Sequence, residues 1–117
     1  MGESLIEGIV NYIEKRIFRR VDAELPVDLE LDHEVVQTTS SNISCGGMFL
    51  QIDPQKLSQQ HKLDVVIHLP NRKTPVKLSA EILRSESEAR QGVAVQFQGL
   101  YNDSLLELDK FIKSKLN

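Results

Sequence analysis

The first group of residues that could do chemistry is a basic cluster near the N-terminus. Four of six consecutive positions carry a positive charge, namely Lys15, Arg16, Arg19 and Arg20. The planar guanidinium group of arginine matches both a phosphate and the O6/N7 edge of guanine. Positive residues also favour the ends of helices, where they offset the helix dipole. The cluster therefore indicates either an anion-binding site or a helix terminus.

The second group lies in the stretch SNISCGGMFL, residues 41–50. Asn42, Ser44 and Gly47 follow the spacing NxSxxG, and Gly46 precedes the last of them. The Asn42 amide oxygen could accept hydrogen bonds from guanine, and a glycine lets a flat base approach the backbone closely. The same residue types also suit a turn, because glycine adopts positive φ and Asn and Ser bond turn backbones. Spacing alone leaves both interpretations open.

Residues suited to catalysis or metal binding do not form a recognisable group. Cys45 is the only cysteine, so it has no disulfide partner within the chain and no CxxC partner for zinc. Such a thiol needs an activating group before it can act as a nucleophile. The histidines His33, His61 and His68 lie outside any nucleophile motif, and no pair of carboxylates suggests acid–base chemistry. We therefore expect no enzyme activity, no cofactor and no metal site.

Length and composition narrow the classes of function. The chain has 117 residues, which is typical of one domain. Its net charge of -3 and its aromatic content of 5% oppose nucleic-acid binding, which needs positive charge and stacking surfaces. The sequence has no apolar run of about 20 residues and no secretory signal. We expect a cytoplasmic protein that does not insert into a membrane.

The pattern of apolar residues predicts a mainly β fold with a helix at each end. Residues 4–17 have helical spacing, and we treat 1–14 as an N-terminal amphipathic helix and 15–117 as a barrel with a C-terminal helix, all in one domain. Six strand candidates follow, at residues 23–31, 34–43, 46–52, 63–69, 76–86 and 92–99. Residues 102–116 form the second amphipathic helix, with Asn102 or Asp103 as the N-cap. Short connections between strands favour an antiparallel barrel.

The two motifs in this order closely resemble the PilZ domain, whose signature is RxxxR followed by [D/N]xSxxG. Here Arg16 and Arg20 supply the first motif, and the NxSxxG residues supply the second. The resemblance extends through RVDAELPV and GVAVQF, and covers residues 15 to about 100. It implies a six-stranded antiparallel PilZ-type barrel. It also implies a receptor for bacterial cyclic di-GMP, a second messenger in the control of motility and biofilm formation.

The resemblance further implies which residues bind the ligand. These are Arg16, Arg20, Asn42, Ser44 and Gly47, with Lys15, Arg19 and Gly46 as additional candidates. The arginines would bind the phosphates and guanines, and the second motif would form the part of the barrel wall that contacts a guanine. We accordingly expect Gly47→Val to abolish binding without unfolding the barrel. Asp is the commoner first residue of that motif, so the neutral Asn42 predicts weaker binding.

The sequence is compatible with two functions. In the first, binding of cyclic di-GMP changes the conformation of the chain or its contact with a protein partner. In the second, the chain is a PilZ-like adaptor that binds protein partners without nucleotide. The apolar face of the N-terminal helix could pack on its own barrel or on a second copy in a homodimer. The sequence identifies neither the partner nor the ligand stoichiometry.

Overall fold

The structure is a computed structural model that describes residues 19–57, 60–86, 92–98 and 103–116. The predicted N-terminal helix lies outside these residues, and so do Lys15 and Arg16. The strands are β1 (Val21–Asp22), β2 (Pro26–Glu30), β3 (Val35–Ile43), β4 (Gly47–Leu50), β5 (Lys62–Ile67), β6 (Val76–Glu86) and β7 (Gly92–Phe97). Within the described residues, a 3-10 helix spans Pro54–Leu57 and the α-helix α1 spans Asp103–Leu116. Six strands and α1 were predicted, whereas the two-residue β1 was not.

The strands close into an antiparallel barrel. Their hydrogen-bonded order is β1-β3-β2-β5-β6-β7-β4, and an additional pairing of β3 with β4 joins the ends. Within the described ranges, six strands therefore complete the barrel wall, as the sequence predicted. The short β1 pairs antiparallel with the end of β3, where Val21 lies opposite Ile43 and Asp22 lies opposite Asn42. Closure leaves the barrel strands without the unpaired edges that favour aggregation.

Alternating apolar residues fill the barrel interior. In β2 and β5, for example, Val27, Leu29, Val65 and Ile67 are almost completely buried. Each such side chain contributes roughly 1.5–3 kcal/mol when it is removed from water. The intervening residues of these strands face outward and carry the charges. This period-two pattern explains why the sequence was sufficient to locate these strands.

The helix α1 packs against β6 and β1. Leu105, Leu108 and Ile112 are buried on its inner face and belong to the same apolar core as the barrel interior. The three positions follow helical spacing, so one stripe of the helix meets the barrel core, with Phe111 packed at its side. No helix in the described ranges has the length and apolar character needed to span a membrane.

Candidate functional site

A β-bulge in β3 determines which side of the barrel wall Asn42 faces. The pairing of β3 with β4 shifts register between Ser40 and Asn42. Ser40 is fully buried, so strict alternation would turn Asn42 inward and Ile43 outward. Instead Ile43 is fully buried and Asn42 is partly exposed. The extra residue therefore brings Asn42 to the outer surface, where a ligand can reach it.

Arg20 lies against Asn42 on that surface. Its guanidinium Nη1 donates a hydrogen bond to the Asn42 amide oxygen over 2.6 Å. The pairing of β1 with β3 explains the contact, because Asp22 lies opposite Asn42 and Arg20 immediately precedes β1. Arg19 and Arg20 are both exposed. The structure thus brings together the last residue of the first motif and the first residue of the second.

Ser40 holds in place the segment that connects β1 to β2. Its buried hydroxyl accepts a hydrogen bond from the backbone N–H of Leu25 (3.0 Å) and donates one to the carbonyl of Ala23 (2.6 Å). Because residues 23–25 are fixed in this way, the adjacent β1 and Arg20 are also fixed relative to β3. This positioning role of Ser40 was not predicted from the sequence. A small polar residue between strand-forming residues was the available signal.

Ser44 builds the turn between β3 and β4. Its hydroxyl oxygen accepts hydrogen bonds from the N–H groups of Gly46 (3.1 Å) and Gly47 (3.2 Å). Its own backbone N–H donates to the Gly47 carbonyl over 2.8 Å. The side chain is 2% exposed, so it is largely inaccessible to a ligand in this conformation. This matches the turn interpretation of the motif, in which Ser44 bonds the backbone.

Gly47 allows close packing within the barrel wall. A Cβ at this position would collide with the backbone carbonyl oxygen of Val95 on β7. The neighbouring Gly46 carbonyl accepts a hydrogen bond from the N–H of Phe97 over 2.9 Å, which fastens the turn to the same strand. This collision argues against the expectation from the sequence that Gly47→Val leaves the barrel folded. The side chain would enter the pairing of β4 with β7 before it could meet any ligand.

Cys45 connects the turn to α1. Its thiol is 2% exposed, and Sγ lies 3.7 Å from a carboxylate oxygen of Asp109. Burial and the negative charge of Asp109 together raise the pKa of the Cys45 thiol to about 12. Such a thiol stays protonated at neutral pH and is a poor nucleophile. A contact between residues so far apart in sequence could not be predicted from the spacing of either motif.

The histidines do not form a shared site. His68 Nε2 lies 3.0 Å from a carboxylate oxygen of Asp28 on the outer face of the barrel. In the part of the chain that the structure describes, no group of three His, Cys, Asp or Glu side chains is arranged to hold a metal ion. Among the residues that the structure describes, the pair Arg20–Asn42 combines exposed charge with hydrogen-bonding groups of both motifs.

The comparisons with known proteins agree with this architecture. The sequence matches the PilZ domain family over residues 14–114. A comparison with curated protein sequences gives no match. Among solved structures, the chain is similar to the Bacillus subtilis inhibitor of motility MotI/DgrA, with 22% identity and a TM-score of 0.69. The match covers 86% of this chain and 51% of MotI, so the chain spans about half the length of that protein.

Two further structures share the fold. The PilZ domain of CeSA, from a cellulose-synthesizing bacterium, is 20% identical with a TM-score of 0.60, over 81% of this chain and 98% of that domain. PlzA of Borreliella burgdorferi, solved in complex with c-di-GMP, is 12% identical with a TM-score of 0.56, over 96% of this chain and 57% of PlzA. The six-stranded closure, the two motifs and the extent of the family match lead to one assignment. The chain belongs to the PilZ domain family.

Proposed function

We propose that this chain is a non-enzymatic receptor for cyclic di-GMP. The observation that carries the proposal is the contact between Arg20 and Asn42, which joins the two motifs on an exposed face of the barrel. Cyclic di-GMP carries two phosphates and two guanines, and therefore needs both positive charge and guanine recognition. An exposed arginine can supply both. The c-di-GMP complex of the structurally similar PlzA gives independent support for this ligand class.

The proposed binding mode assigns different roles to the two motifs. Arg16 and Arg20 contact the phosphates and guanines, with Lys15 and Arg19 adding positive charge nearby. Asn42 contacts a guanine from the barrel wall, and its amide oxygen also accepts the hydrogen bond from Arg20. Ser44, Gly46 and Gly47 act by shaping the turn, since their polar groups already bond one another and β7.

The contact between Cys45 and Asp109 suggests how ligand binding reaches the rest of the chain. The turn of the second motif touches α1 at this point, and Asp109 is also paired with Lys113 at 2.9 Å. A ligand that shifts the turn would therefore act directly on the helix. The proposed output is a change in how the chain contacts a protein partner.

Isothermal titration calorimetry with cyclic di-GMP tests the proposal. We expect the unaltered chain to bind, and Arg20→Ala to lose about 1.5–3 kcal/mol of binding free energy, because charge-assisted hydrogen bonds are removed. This corresponds to roughly tenfold or more in affinity. Lys56→Ala is the control, since it removes one positive charge from an exposed position on the 3-10 helix. Equal losses in both variants would show that only net charge matters.

One observation favours a second function, that of an adaptor without nucleotide. The Asn42 oxygen and the Ser44 hydroxyl already have partners within the chain, so neither needs a ligand to be satisfied. An absence of heat with cyclic di-GMP at tens of micromolar, from a chain shown to be folded, would favour the adaptor and overturn the receptor.

A further inference from the structure

A groove distinct from the candidate ligand site lies between the turn after β5 and α1, where it is lined by helix residues from Glu107 to Lys115. It has a volume of about 350 Å³ and opens widely to solvent. Three cations and one carboxylate line it, namely Arg72, Lys110, Lys115 and Glu107. Its lining is thus positive in a chain whose net charge is -3. This local reversal of charge favours an acidic partner, because opposite charges speed the association of two proteins and orient them in the complex.

The cations of the groove differ in how free they are to bind an anion from outside the chain. The Arg72 guanidinium forms an ion pair with Glu107 at 2.5 Å and donates from Nε to the Thr74 carbonyl over 3.2 Å. The hydrogen bond from Arg72 lowers the pKa of Glu107, so this carboxylate remains charged and largely offsets Arg72 at neutral pH. Lys110 reaches Glu107 only at 3.6 Å, and its side chain is 75% exposed. The lysines are therefore the charges best able to meet an incoming anion.

Apolar surface lies beside these lysines. The exposed ring of Pro70 and the partly exposed ring of Phe111 line the groove, and the ammonium of Lys115 lies 5.7 Å from the centre of the Phe111 ring. A small phosphate ligand would favour converging donors such as free arginines. Mobile lysine ammonium groups beside apolar rings suit an extended peptide that carries both acidic and apolar side chains. The concave shape also differs from the flat contact that a lipid surface would make.

From this geometry we propose that the groove between residues 69–72 and α1 binds an acidic, partly apolar peptide segment of a partner protein. Glutamate or aspartate side chains of the segment pair with Lys110 and Lys115, while an apolar side chain packs on Pro70 and Phe111. The site does not depend on nucleotide binding at Arg20 and Asn42. It lies on the same helix as Asp109, which contacts the turn of the second motif.

Fluorescence anisotropy with a labelled octapeptide of alternating Glu and Leu tests this proposal on the full chain. We expect weak binding, with a Kd on the order of 100 µM, as is usual for a small transient interface. Lys110→Glu combined with Lys115→Glu should weaken binding at least tenfold. The control combines Lys56→Glu with Lys62→Glu, which makes the same change in net charge at exposed positions outside the groove. That control should retain binding within about twofold.

Three results would overturn the proposal. Equal weakening in the two double variants would show a general charge effect. An absence of peptide binding up to about 1 mM would show that the groove does not take acidic segments. Binding to vesicles of anionic phospholipid, with loss in the Lys110 and Lys115 variant and no binding of the peptide, would identify a lipid surface as the partner. Circular dichroism of each variant confirms that the compared proteins are folded.

Discussion

Asn42 and Ser44 are two residues apart in one motif, yet the structure gives them opposite surroundings. Asn42 faces outward and its amide oxygen receives an exposed arginine, whereas Ser44 is buried and its hydroxyl serves the turn. The bulge before Asn42 turns that residue outward, and β3 ends at Ile43, so Ser44 already belongs to the turn. One short motif can therefore contain both a ligand contact and the framework that supports it. We call Asn42 and Arg20 the ligand side of the site, and the turn residues Ser44 to Gly47 its framework side. Mutations on the ligand side should change affinity, whereas mutations on the framework side should change stability.

The largest expected effect is on the framework side, from Gly47→Val. Its side chain collides with the backbone of β7, so we expect the free energy of unfolding to fall by about 3 kcal/mol or more. Gly47→Ala should show a smaller loss of the same kind, because its Cβ alone already meets the Val95 carbonyl. Urea denaturation measures both changes. Normal stability of the valine variant with loss of ligand binding would instead place Gly47 at the ligand.

A smaller loss of stability is expected from Ser44→Ala. The substitution removes the acceptor of the Gly46 and Gly47 N–H groups, which should cost about 1–3 kcal/mol of unfolding free energy because these donors lose their partner. Urea denaturation measures this loss. Calorimetry measures the affinity of the folded variant for cyclic di-GMP, which is compared with that of the unaltered chain. If affinity falls while stability is unchanged, Ser44 belongs with Asn42 on the ligand side.

Cys45 gives the framework a dependence on pH. Its folded-state pKa is raised from 9.0 to about 12 by burial and by Asp109, so folding favours the neutral thiol. The resulting stability is fully present below pH 9 and is lost as pH rises towards 12. We expect the stability difference between the unaltered chain and Cys45→Ala to be constant from pH 6 to 8 and to shift against the unaltered chain above pH 9. A difference that stays constant to pH 11 would contradict the buried thiol.

The smallest effect is expected on the ligand side, from Asn42→Asp. A carboxylate can accept from Arg20 and from a guanine N–H with separate oxygens, and such charge-assisted bonds are stronger than neutral ones. Because the position is partly exposed, we expect a gain of only about threefold in affinity for cyclic di-GMP, with little change in stability. Calorimetry measures the affinity. A loss of affinity would show that the carboxylate neutralises Arg20 at the expense of the ligand.

The sequence predicted the barrel well because its strands alternate between apolar and polar residues. It also predicted that Arg20 and Asn42 belong to one site, through the resemblance of the two motifs to PilZ domains. It did not reveal the bulge in β3, because a one-residue shift leaves no clear mark in a strand of Ser and Thr. The contact of Cys45 with Asp109 also escaped prediction, since it depends on where α1 packs. Pairing between distant elements is set by the complete fold.

The pairing of β4 with β7, on which the turn of the second motif rests, has a consequence for the order of folding. The β3–β4 and β6–β7 connections are local, whereas β4 and β7 meet across a long stretch of chain. Local hairpins form in microseconds, but a distant pairing must first overcome the entropy of closing a large loop. We therefore expect the turn around Gly46 to be anchored late, when the barrel closes. A ligand that recognises the closed wall would bind the finished barrel and slow its unfolding, without acting as a template for the early steps of folding.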